Sequence, residues 1–158
     1  MTERLTTAPV ERAGLVLGIG MGGFVDGIGL HQIAQVHAML SARVPMDSMA
    51  GMRTNMTADG LFHLFDWLAV LVGIALLFRA GKRPDVRWSG GALVGGMIAG
   101  WGVFNLIEGV IDHHLLHLHH VVERLGPSIW DWVFLAASAG LVVIGRTIAR
   151  RSARLNKA

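Results

Sequence analysis

The sequence predicts an all-α membrane protein of four transmembrane helices, arranged as two tandem helical hairpins related by a pseudo-twofold axis. Three observations lead there. The apolar residues collect in four long blocks, the basic residues cluster on one side of those blocks, and a pattern of acid, glycine and histidine occurs twice.

The blocks run roughly from Ala13 to Leu30, Leu61 to Phe78, Ala92 to Ile111 and Ile129 to Ile148. Each is close to the ~20 helical residues that cross a hydrocarbon core. Only 16% of the chain is charged, against about a quarter in an ordinary soluble domain, so a soluble bundle is the weaker alternative. With short extensions the blocks predict helices over about 13–37, 59–79, 91–120 and 128–150 in a single domain spanning 1–158. The first block holds Asp26 and lacks a small-residue cleavage signature, so it reads as a span and not as a cleaved signal peptide.

Charge sets the topology. The link between the second and third blocks carries Arg79, Lys82, Arg83 and Arg87. The C-terminal tail carries Arg146, Arg150, Arg151, Arg154 and Lys157, and the N-terminal segment carries Arg4 and Arg12. The other two links hold only Arg43, Arg53 and Arg124. The positive-inside rule then places both termini and the central link in the cytoplasm of a bacterial inner (plasma) membrane. These clusters are topology signals. No soluble basic face is present to bind nucleic acid.

The repeat is the third observation. Asp26, Gly27, His31 and His37 recur as Glu108, Gly109, His113 and His119 at identical spacing. Phe65-Asp66-Trp67 in the second block is matched here with Trp130-Asp131-Trp132 in the fourth. An internal duplication of a helical hairpin accounts for both. Gly14, Gly18 and Gly22 lie four apart, as do Gly91 and Gly95, and Gly96 and Gly100. Small residues at that interval let helix backbones approach closely in lipid. They suit packing within the bundle, and a homo-oligomer remains open. The run Gly18 to Gly23 has no preceding strand, which excludes a phosphate-binding loop.

Ionisable groups inside a membrane are costly and are functional candidates by default. With the topology above, all eight histidines fall at the outer ends of the blocks. Helical spacing puts Asp59, His63 and Asp66 on one face, Asp26 with His37, and Glu108 with Asp112 and, if the helix continues, with His119. His113, His117 and His120 form a second face of the third helix. Imidazoles and carboxylates from several helices are what a transition-metal site needs, and this donor set suits iron, copper or zinc, as one ion or two. The candidate ligands are His31, His37, His63, His113, His114, His119, His120, Asp26, Asp66, Glu108 and Asp112. The competing reading is a set of His–carboxylate hydrogen bonds without metal, with His119 and His120 solvated at the aqueous edge. Trp67, Trp101, Trp130 and Trp132 fit the interfacial belt or packing. The outer link carries Met39, Met46, Met49, Met52 and Met56. Thioethers select Cu(I), so this link is a candidate for copper capture.

The segments from Gly23 to Gln32, from Asp59 to His63 and from Gly100 to Gly109, together with Asp112-His113-His114 and His119-His120-Val121, resemble a family of small bacterial predicted membrane proteins, domain-of-unknown-function family 2243. The resemblance covers most of the chain. It implies a four-helix membrane protein with no settled activity. The family pattern often pairs two histidines where this chain has His37-Ala38, and has a small residue at His117.

Three functions are compatible with these residues. One is a metal-dependent oxidoreductase acting on a small lipophilic substrate, with Glu108 or Asp66 as base or bridging ligand. A second is copper or iron binding, delivery or transport with a metal-delivery partner, although the inner halves of the helices lack polar residues for a through-membrane path. A third is a b-type haem protein, which the many carboxylates disfavour because they would be buried unpaired. Cysteine is absent and the serines show no activating pattern, which argues against a covalent hydrolase.

Overall fold

The computed structural model describes residues 5–155 and is helical throughout; no strand occurs among the described residues. Arg4 and Lys157 lie outside the described residues. Helix α1 spans Ala8–Asp26 and runs on as a π-helical segment, Gly27–Ile33. Helix α2 spans Met49–Gly81. Helix α3 spans Gly90–Glu108 and also ends in a π-helical segment, Gly109–Leu115. A short 3₁₀ turn, Glu123–Leu125, precedes α4, Ile129–Leu155.

The helix starts follow from local chemistry. Pro9 sits in the first turn of α1, where its missing N–H costs nothing. Ser48 and Ser89 cap α2 and α3 by accepting from the Gly51 and Ala92 amides, each at 3.1 Å. At α4 the Asp131 carboxylate reaches back to the Ser128 amide at 2.9 Å.

Four helices are long and apolar enough to cross a membrane. The chain is a multi-pass membrane protein. Its centre is the pair α1 and α3, with α2 packed on α1 and α4 packed on α3. The inner pair is small-residue backbone against backbone. A β-carbon at Gly18 would strike the Met97 carbonyl, and one at Gly100 would strike the Leu15 carbonyl. The outer pair presents Phe65, Leu68, Val72 and Phe78 from α2, and Trp132, Val133, Val143 and Ile144 from α4, all exposed. In water such a surface would be a liability. In lipid it is the expected contact with the acyl chains.

The two ends of the molecule differ. At one end the segment before α1, the α2–α3 link and the end of α4 meet. Thr6 N–H donates to the Asp85 carbonyl and Arg87 N–H to the Thr6 carbonyl, each at 2.9 Å, and Glu11 pairs with Arg146. The opposite end holds the histidines.

Three expectations need correction. The first and third helices do not run to 37 and 120. They stop at Ile33 and Leu115, each followed by a residue in the left-handed region, Gln35 at φ 52° and His117 at φ 47°. The chain therefore leaves the helix before His37, His119 and His120, and the helical face drawn through His113, His117 and His120 does not exist. Helix α2 begins at Met49, ahead of the expected 59, because Ser48 caps an extension of the span.

Candidate metal centre

The π-helical segments place the first two ligand candidates of each half. In an α-helix, residues five apart point in different directions, whereas the i→i+5 bonding of a π turn stacks them. Asp26 and His31 are five apart, and so are Glu108 and His113. The structure accordingly brings His31 Nε2 to 3.2 Å from Asp26 Oδ2, and His113 Nε2 to 3.1 Å from Glu108 Oε1.

The coil after each π segment then crosses to the other half. His37 Nδ1–H donates to the Val121 carbonyl at 3.1 Å, and His119 Nδ1–H donates to the Met39 carbonyl at 3.2 Å. The two coils are tied further by Ala42 N–H to the Leu118 carbonyl and Glu123 N–H to the Val36 carbonyl. His37 and His119 stack with ring centroids 4.6 Å apart, and the His31 and His113 rings stand edge-on to them at 4.6 and 4.8 Å.

Helices α2 and α4 supply the outer partners. Asp59 Oδ1 lies 2.9 Å from His31 Nδ1 and accepts the Met39 amide at 3.0 Å. Asp131 Oδ1 lies 3.4 Å from His113 Nδ1 and accepts the Val121 amide at 3.0 Å. Three of the four imidazoles, His31, His37 and His119, thus have Nδ1 hydrogen-bonded from outside by a carboxylate or a carbonyl, and His113 Nδ1 faces Asp131 at the longer distance. His31, His113 and His119 bring Nε2 to Asp26 or Glu108, and His37 Nε2 is buried without a partner. All six side chains are buried.

The inner face has an electrostatic demand. His119 gives its Nδ1 proton to a carbonyl, so its Nε2 offers a lone pair, and Glu108 Oε1 stands 2.8 Å from it. Two acceptors at that distance require a proton or a cation between them. His31 and His113 likewise meet carboxylates at both ring nitrogens. His37 Nε2, His31 Nε2 and Glu108 Oε2 are buried with no hydrogen-bond partner. Burial, followed by the nearby charges of His119 and His31, pushes the His37 imidazole down to about 4, so it is a neutral donor at ordinary pH. Burial also works against charge on His119, but its hydrogen bond to Glu108 outweighs that and raises it.

Two groups are close enough to share an ion. The ligand atoms of His31, His37 and His119 lie within 4.8 Å of one another, and so do those of Glu108, His113 and His119. His119 belongs to both. A family model described as a predicted membrane protein (DUF2243) matches residues 13–152 of the chain. The chain belongs to this family. No curated protein and no solved structure matches it.

The remaining candidates surround the centre. His63 and Asp66 of α2 form their own pair, Nδ1 to Oδ2 at 3.5 Å, with Asp66 fully buried. His120 is buried with Nδ1 3.5 Å from Asp131 Oδ2, and burial lowers it despite the Asp131 and Glu123 carboxylates. His114 meets the Trp132 ring at 4.5 Å, tilted by 45°, and lines a separate cleft with His113 and His117. Asp112 joins Glu108 at the floor of an apolar cleft. His119 and His120 are not solvated, since their exposures are 0% and 4%.

Sequence reasoning left Asp59 and Asp131 off the ligand set and paired the wrong acids. The tryptophans beside Asp66 and Asp131 suggested that match. By contacts, Asp131 does for His113 and Val121 what Asp59 does for His31 and Met39. The signal available was the amide of the residue two after each second histidine, which needs an acceptor once the coil is buried.

Proposed function

We propose that this chain is an integral membrane metalloprotein whose centre is His31, His37, His113, His119, Asp26 and Glu108. One observation carries the reading: four buried imidazoles gather beside two buried carboxylates, three of them hydrogen-bonded outward through Nδ1 and three bringing Nε2 within 3.2 Å of Asp26 or Glu108. Metal-ligating histidines characteristically give their other ring nitrogen to a carboxylate or carbonyl, which fixes the ring and raises its basicity. A cation at the Nε2 side also resolves the facing acceptors at His119 and Glu108. The donor set of nitrogen and oxygen suits iron, copper or zinc, as one ion or as a pair.

The site lies at the end of the molecule opposite the basic link and termini. With the positive-inside rule this supports a site at the extracytoplasmic face of a bacterial inner membrane, termini in the cytoplasm. The recurrence of the same contacts in both halves supports a duplicated hairpin with a pseudo-twofold axis along the membrane normal.

We read the activity as metal-dependent oxidoreduction of a small lipophilic substrate. A cleft of about 290 Å³ is lined by Ile19, Met39, Phe62, Phe65, Phe104 and Ile107, with Glu108 and Asp112 as its acidic groups. The apolar walls accept a hydrophobic body, and Glu108 Oε2, which has no partner, can take a proton from its polar end. A bound iron or copper would supply the electron-accepting step. Metal binding and delivery without catalysis is the second reading, favoured by a methionine-lined cleft beside His31.

Elemental analysis of detergent-purified protein, before and after reconstitution with iron, copper and zinc, tests the claim. Stoichiometric metal that is lost in a His37→Gln, His119→Gln variant is the expected result. Absence of metal from the wild type under every condition would remove the reading.

A further inference from the structure

The two halves agree around the centre and part company outside it. Gly27, at the start of the first π-helical segment, is pressed against the His63 and Phe62 rings, while its counterpart Gly109 is pressed against Leu135 and Phe134. Leucine therefore suffices for packing at this place, and His63 is surplus to it. Behind His63 lies Asp66, fully buried with neither carboxylate oxygen hydrogen-bonded. Ser138, at the matching depth of α4, simply bonds its own helix at the Phe134 carbonyl. The helices differ in length as well. Helix α4 starts at Ile129, just before Asp131, whereas α2 starts at Met49, well before Asp59.

That extension is methionine-bearing. Met52, Met56, Asp59, His63 and Asp66 follow one another at intervals of three and four along α2, so they share a face. Met46, Met52, Met56 and His63 line one open cleft of about 610 Å³, with Gln32 and His31 in its wall. His63 sits between two polar groups. Its Nδ1 faces a buried carboxylate at 3.5 Å, and its Nε2 accepts from the Gln32 amide at 2.9 Å. Gln32 is exposed and free to turn away, which opens the Nε2 lone pair to the cleft. Asp59, the acid lining it, is tied to His31 and the Met39 amide, and His31 is itself held between Asp59 and Asp26, so the cleft offers thioethers and one uncommitted imidazole, His63, without a free carboxylate.

We propose that this cleft is a second metal site, specific for a soft monovalent cation, Cu(I), held by Met46, Met52, Met56 and His63 and oriented by Asp66. Thioether sulfur selects Cu(I) over harder ions. The site adjoins His31 and serves as the intake of the central site, so its role, though not its existence, rests on the metal-centre reading above.

The test uses the full chain in detergent with Ag(I) as a redox-silent probe of the soft site and Zn(II) as a probe of the centre. The wild type takes up more Ag(I) than a Met46→Leu, Met52→Leu, Met56→Leu variant by one ion per chain, while both bind the same Zn(II). Asp66→Asn weakens Ag(I) binding by about 10–100-fold, as loss of an orienting carboxylate does. The leucines are exposed or half-exposed and conserve volume, so equal Zn(II) binding also reports an intact fold. Ag(I) stoichiometry and affinity unchanged in the methionine variant would overturn the proposal, whatever Zn(II) does. Loss of Ag(I) with no Zn(II) bound by either protein would uphold this site and defeat the central one.

Discussion

The half built from α1 and α2 and the half built from α3 and α4 share most of their inner contacts. Asp59 holds His31 and the Met39 amide, and Asp131 holds His113 and the Val121 amide. His37 reaches Val121, and His119 reaches Met39. Beyond this shell the likeness ends. The first half adds His63, Asp66 and a methionine-bearing extension. The second adds His114, His117, His120 and Asp112. On the proposed reading, what both halves keep serves the centre, and what only one keeps is a candidate for traffic to or from it. The carboxylates are themselves unequal. Glu108 touches both His113 and His119, while Asp26 pairs with His31 alone.

The largest expected effect comes from the shared contacts. Replacing Glu108 with Gln removes the carboxylate that touches two imidazoles and is expected to abolish stoichiometric zinc binding, measured by elemental analysis. Asp26→Asn, facing one imidazole, is expected to weaken it less. Equal losses would mean that the inequality of the carboxylates has no functional weight.

Next come the helix contacts that hold the halves together. Gly18→Leu and Gly100→Leu each drive a side chain into a facing carbonyl. Each should destabilise the protein by about 1–3 kcal/mol or more, read as a lowered thermal midpoint in detergent. The two should cost alike; a tolerant Gly100 with an intolerant Gly18 would break the equivalence.

Asp59→Asn and Asp131→Asn should each reduce zinc affinity by about 10–100-fold through loss of ring orientation. The longer Asp131 contact predicts the smaller loss of the two.

The smallest effect is on pH dependence. His37 is pushed down to about 4 from an ordinary 6.5. Between those values the unfolded chain binds a proton that the folded chain does not, so stability of the metal-free protein falls as pH drops through that window. His119 is raised, and its contribution is full below 6.5 and is lost as pH rises through its folded value. His37→Gln should therefore flatten the acid side of a stability–pH curve and leave the alkaline side. A nitrogen NMR titration should find the His37 ring neutral at pH 5.5.

Much of this was legible in the residues. Four apolar blocks and their basic ends give the helices and place the histidines at one end, because hydropathy and charge are local signals. The repeat of Asp26, His31 and His37 as Glu108, His113 and His119 contains six of the eleven ligand candidates, and the structure brings these six together. Their arrangement was harder to read. A five-residue interval does not align on an α-helix, and the π turns that align it leave no composition signal. His37 and His119 reach the site from coil, across the interface between halves, where helical spacing says nothing. The register of α2 against α4 depends on which acid meets a buried amide, and tryptophan neighbours pointed to Asp66 where the amide of Met39 selects Asp59.

The most direct test of the central claim is X-ray absorption at the zinc edge of the zinc-loaded chain, beside His37→Gln. The account predicts a nitrogen and oxygen shell at about 2.0–2.1 Å with imidazole scattering that weakens in the variant. An oxygen-only shell without imidazole scattering, or a spectrum unchanged by the substitution, would contradict it.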